Sequence, residues 1–148
     1  MNNTVCTEDF ILLLKDALVK GQDFSFSPTG SSMKPMLNGV DDTVVLTKAF
    51  DKLKKYDVAL FLRRSDNALV LHRVVKVTGD SYTMSGDSQY FFDENVAHSD
   101  ILAVMKSFVR SQKPVSVTDF SYRFYCRKIL LKKYIHIFFS KIYHKIFK

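Results

Sequence analysis

Ala68-Leu69-Val70-Leu71-His72-Arg73-Val74-Val75-Lys76-Val77 is dense in β-branched and aliphatic residues, the composition of a strand that packs against a core. On strand periodicity His72 shares a face with Val70 and Val74, while Leu71 and Arg73 point the other way. Just upstream, Tyr56 to Leu62 is a second apolar strand, and Ser65-Asp66-Asn67 supplies the turn between them. Residues 56–77 therefore predict a hairpin.

Working outward, the same pattern recurs in shorter pieces. Phe24-Ser25-Phe26-Ser27 alternates, and Pro28 and Gly30 break it into a loop. Thr43-Val44-Val45-Leu46, Ser81-Tyr82-Thr83-Met84 and Ile101 to Val109 read as further strands, with Gly79-Asp80 and Ser85-Gly86-Asp87-Ser88 as polar turns. Before the strands, Phe10, Leu13, Leu14, Ala17 and Leu18 recur at helical spacing between a capping Thr7 and a terminating Gly21. The expected architecture is mainly β, with an amphipathic helix at the N-terminus and a basic helix at the C-terminus. It divides into an N-terminal helix (1–22), a β domain (23–110), a linker around Pro114 (111–118) and a basic, aromatic-rich helical tail (119–148).

The 148 residues suit one domain with its own core, and the net charge of +7 is unevenly placed. Residues 1–118 balance 14 Lys/Arg against 14 Asp/Glu, whereas residues 119–148 hold 8 Lys/Arg and only Asp119. Cys6 and Cys126 lie near opposite ends of the chain and are expected to be unpaired thiols; no CxxC pair suggests zinc, and no metal or cofactor is expected. The first apolar run, Phe10 to Leu14, follows Glu8-Asp9, the wrong charge for a secretory signal. No stretch approaches the roughly 20 apolar residues that span a bilayer. The expected location is thus cytoplasmic or peripheral to a membrane.

Thr29-Gly30-Ser31-Ser32-Met33-Lys34-Pro35-Met36-Leu37 places two serines in a Gly-bounded loop. A serine is a weak nucleophile until a base and an oxyanion site surround it. His72, inside an apolar strand, must find a hydrogen-bond partner or remain costly. Asp87 and Asp93 follow it in the chain. Each residue has a plain structural reading as well: Ser31 and Ser32 as turn formers, Asp87 as a turn residue bridged to Arg73, Asp93-Glu94 as a cap.

Together these residues carry a resemblance. Gly30 to Leu37 resembles the nucleophile box of type I signal peptidases, of form G/S-x-S-M-x-P-x-L. Val70-Leu71-His72-Arg73-Val74-Val75 resembles their second box, with the His-Arg of the endoplasmic reticulum and archaeal branch rather than the bacterial Lys-Arg. Ser85-Gly86-Asp87 resembles the third, and Asp93 stands six residues on, where His-type enzymes carry a second acid. The match in order and spacing covers roughly residues 26–105. It implies a signal peptidase/LexA-like β fold and a serine endopeptidase cutting signal or leader peptides after small residues. Ser32 would be the nucleophile and His72 the general base, with Asp87 or Asp93 orienting the imidazole. The oxyanion site would be the Ser32 backbone N–H with a donor from Ser31 or Gly30. Gly30 stands where some relatives use a serine hydroxyl.

The chain departs from that pattern in three places. Gly39-Val40-Asp41-Asp42 replaces a Gly-Asp pair, Tyr56-Asp57-Val58 replaces Gly-Asp-Val, and the membrane span that usually precedes the nucleophile is not seen. Lys76, four residues after His72, is a rival base. A catalytically silent member that binds peptides or a membrane partner, and a LexA-like self-cleaving peptidase, are the alternative functions.

In the tail, Phe124, Leu131, Ile135, Phe138, Ile142 and Ile146 fall on one helical stripe, with Arg123, Arg127, Lys141, Lys145 and Lys148 beside it; Lys128 intrudes on the stripe and Tyr134 sits off it. Such a helix suits either an anchor lying on anionic lipid or a helix docked on its own domain. No recognisable nucleic-acid-binding motif accompanies the basic charge.

Overall fold

In the computed structural model, which describes residues 7–147, the first amphipathic segment winds into α1, Thr7–Val19. Gly21, at φ 72°, ends it: Gln22 N–H reaches back to Ala17 O and Gly21 N–H to Leu18 O, satisfying the last carbonyls. Leu14 and Leu18 are buried, and the Phe10 ring meets Phe24 and Phe26 edge-on at 5.3 and 5.4 Å. α1 therefore packs on its own domain.

Eight strands follow: β1 (Phe24–Phe26), β2 (Thr43–Thr47), β3 (Val58–Arg63), β4 (Ala68–Thr78), β5 (Ser81–Ser85), β6 (Asp93–Ala97), β7 (Ile101–Arg110) and β8 (Lys113–Ser116). All pair antiparallel in the order β1-β2-β7-β3-β4-β5-β6, with β8 added to β7. The fold is mainly β with a helix at each end, as the sequence leads one to expect. The β3–β4 hairpin holds the predicted register, from Val58 opposite Arg73 to Arg63 opposite Ala68.

Two strands differ from the sequence reading. The expected linker is instead a hairpin: Ser111 and Gln112, at φ 48° and 62°, turn the chain so that Lys113–Ser116 pairs with Ser107–Arg110. Pro114 is tolerated because β8 pairs on one side only. Asp93–Ala97, too polar to read as a strand, pairs with β5 at the end of the strand order, where an edge strand can carry charge.

The sheet is buried on both faces where β3 and β4 run together. Val58, Leu60 and Leu71 join Leu14, Met33, Met36, Leu37 and Phe108 on one side. Ala59, Phe61, Val70 and Val74 join Tyr82, Met84 and Val96 on the other. The Ser-Met-x-Pro-x-Leu loop is thus fastened to the first core by three buried apolar side chains.

The tail forms α2, Phe120–Ile146. Tyr122, Cys126, Ile129, Leu130 and Lys133 are its buried face, so it docks on the domain. The stripe read from the sequence is the opposite face and stays exposed. Cys126 is a free, buried thiol; Cys6 lies outside the described residues.

Candidate functional site

Three segments distant in sequence meet around the serine loop. Ser32 and His72 line one cleft of about 750 Å³, together with Gly30, Arg63 and Gln89. Phe10 and Phe26 supply part of its apolar wall. Among the described residues no hydrogen bond joins the Ser32 hydroxyl to the imidazole.

His72 is 2 % exposed and its Nδ1 lies 2.7 Å from Asp93 Oδ2. That contact assigns the proton to Nδ1 and leaves Nε2 as an acceptor. Burial pushes the His72 pKa below its ordinary value; Asp93 opposes this, and Arg63 and Lys133 reinforce it. The imidazole is therefore neutral at pH 7, the state a general base needs. Asp93 is itself held by Arg63 Nη1 at 3.3 Å, and Arg63 pairs in turn with Asp66.

Asp87 does not share this role. It lies in a buried ion pair with Arg73, Nε to Oδ1 at 2.8 Å and Nη2 to Oδ2 at 2.7 Å, and also accepts from Tyr125 OH at 2.9 Å. The two acids offered as partners for His72 thus separate: Asp93 orients the imidazole and Asp87 neutralises Arg73. Strand alternation explains the split, since His72 and Arg73 are neighbours on opposite faces of β4. Arg73 Nη1 also donates to Tyr56 O at 3.0 Å and Tyr122 OH at 3.1 Å. Tyr56 adopts φ 84°, a conformation that favours glycine, and its chain is held there by Tyr56 N–H to Val74 O and Val74 N–H to Asp57 O.

The Ser85–Ser88 turn touches the serine directly. Ser88 N–H donates to Ser32 O at 2.9 Å, and Ser88 Oγ donates to Ser31 O and Ser32 O at 3.0 Å. A Cβ on Gly86 would fall 2.5 Å from Ser32 O and 2.9 Å from Ser32 Cβ, so only glycine allows this approach. Among the described residues the Ser31 and Ser32 N–H groups donate no hydrogen bond, leaving them free for an oxyanion. A Cβ on Gly30 would come no nearer than 4.0 Å, to Ser32 N, so the space beside that N–H is open.

Lys133 also supports the serine loop, through the turn that holds it. From α2 it buries its ammonium against the Ser85–Gln89 turn, donating to Ser85 Oγ and Gly86 O at 2.7 Å and to Gln89 O. It is 2 % exposed, and burial lowers its pKa. The one available signal was its position among Cys126, Ile129 and Leu130 at helical spacing. Lys133→Met would remove the ammonium from all three acceptors; Gly86 O would keep only the Gln89 N–H and Ser85 Oγ contacts, and Ser85 Oγ and Gln89 O would lose a charged donor. We expect a loss of about 2–4 kcal/mol, read as a fall in Tm on the order of 10 °C in a thermal melt.

Lys76, the rival base, is exposed beyond a bulge between Val74 and Lys76 and does not line the cleft. Asp42 is the buried acid of the Gly39–Asp42 stretch, accepting from Asn38 N–H at 2.7 Å. Among the described residues no cluster of three or more His, Cys, Asp or Glu could hold a metal ion. In comparison with known proteins, the chain matches no family model and no curated protein.

Proposed function

We propose that this chain is a serine endopeptidase of the signal peptidase type, cleaving a signal or leader peptide through an acyl-enzyme on Ser32. The observation that carries the reading is a neutral, carboxylate-oriented His72 lining the same cleft as Ser32. His72 Nε2 takes the hydroxyl proton as Ser32 Oγ attacks the scissile carbonyl; the Ser32 N–H, with Ser31 or Gly30, holds the oxyanion. The imidazolium then protonates the leaving amine, and water repeats the sequence to release the acid.

The test is cleavage of a peptide library with small residues before the scissile bond, followed by mass spectrometry. Wild-type protein should cut; Ser32→Ala should not. Undiminished cutting by Ser32→Ala would sink the proposal. A second reading, a catalytically silent peptide-binding member, is favoured by the missing Ser32–His72 hydrogen bond and by the depth of His72. It predicts peptide binding without cleavage by the wild type.

A further inference from the structure

The docked face of α2 leaves its back bare. Phe124, Leu131, Ile135, Phe138, Ile142 and Ile146 are 63, 62, 48, 61, 37 and 67 % exposed, an apolar stripe along a helix of 27 residues that only Lys128, among the described residues, interrupts. A stripe of this length, roughly 33 Å, is far more apolar surface than a soluble helix ordinarily presents. From Phe120 to Lys148 the sequence holds no Asp or Glu. Arg123, Arg127, Lys141 and Lys145 lie along one flank of the stripe and Lys132 along the other, and among the described residues none of them pairs with a carboxylate. Lys133, which points inward, is used by the fold.

We infer that α2 lies on an anionic membrane surface, its apolar stripe sunk to the acyl boundary and its free cations among the headgroups. The charge selects this occupant. A second copy of the helix would bring two sets of like charges together. No helix of the described residues is long and apolar enough to cross a membrane, so α2 lies along the surface instead. The docked face explains how the domain sits there: Tyr122, Cys126 and Leu130 join the core while the opposite side meets lipid. This inference stands on the helix alone and does not depend on the catalytic reading.

The experiment is sedimentation of the full chain with vesicles of phosphatidylcholine alone or with roughly a third phosphatidylserine. Partitioning should be about tenfold or more stronger on the anionic vesicles and should weaken in high salt. A Phe138→Ser/Ile142→Ser variant and a Lys141→Glu/Lys145→Glu variant should each lose about tenfold, with unchanged circular dichroism because all four side chains are exposed. Equal partitioning on both vesicle types, or retention by both variants, would overturn the proposal. So would a dimer in light scattering that both variants abolish, or preferential binding to an oligonucleotide.

Discussion

Ser32→Ala is expected to lower peptide cleavage by about 10⁶-fold, and Asp93→Asn by about 10⁴-fold, if the Ser32–His72–Asp93 arrangement works as a unit. The serine loss removes the atom that forms the acyl bond. The asparagine keeps the shape of Asp93 but can offer its N–H₂ to Nδ1, which favours the wrong tautomer, and it no longer stabilises the imidazolium. The pH profile separates these effects. Burial already holds the His72 pKa below its ordinary 6.5, so the acid limb of kcat/KM should lie below pH 6.5 in the wild type. Because Asp93 raises that pKa, Asp93→Asn should move the limb to still lower pH while kcat falls. A limb that stays in place would mean that Asp93 does not govern the titrating group. The same burial has a stability consequence. The unfolded chain binds the His72 proton more readily than the folded one, so this group's contribution should decline as pH falls through 6.5 toward its folded pKa. Urea melts of the wild type and of His72→Gln across that range measure the difference.

Asp87→Ala should destabilise the fold by about 3–5 kcal/mol, a large share of the whole stability of a domain this size. Arg73 is fully buried and bonded at Tyr56 O, Tyr122 OH and Asp87, and among the described residues Asp87 is its only carboxylate partner. Removing that charge strands a guanidinium in the core and also takes the acceptor from Tyr125 OH. Burial, the largest cause of the raised Tyr125 phenol pKa, persists in the variant and opposes ionisation of that group as a replacement charge. A double change, Arg73→Met with Asp87→Leu, removes both charges together and should recover much of the loss. Chemical denaturation of the single and double variants reads this directly. If Asp87→Ala were as stable as the wild type, the pair would have no structural weight.

Most of the β architecture was legible because its signals are local. The β3–β4 hairpin follows from two apolar runs around Ser65-Asp66-Asn67, and α1 ends at Gly21, where the chain needs a positive φ. β8 was hidden because a Pro-containing stretch among polar residues carries no period; only pairing along β7 makes it a strand. β6 was hidden because Asp93 and Glu94 are exceptions an edge strand can absorb. On the site, the alternation of His72 and Arg73 was readable from β4 alone, as was the need of His72 for a partner. The choice between Asp87 and Asp93 was not. Both follow His72 within a short span, and which one reaches the imidazole depends on which sheet face each loop folds over.

The tail makes the same point most sharply. Its helical period and its excess of positive charge come from the residues themselves, through side-chain spacing and through the lack of any acid after Asp119. Which side docks was decided only in three dimensions. The stripe that looks most apolar by sequence stays bare, while a face holding a tyrosine, a cysteine and a lysine is buried. The physical reason is partnership. Tyr122 and Cys126 find Arg73, and Lys133 finds Ser85, Gly86 and Gln89, so polar atoms that look unfit for a core are satisfied by groups 44 to 53 residues away. Hydrophobicity can be read one residue at a time; a hydrogen-bond partner supplied by another part of the chain cannot.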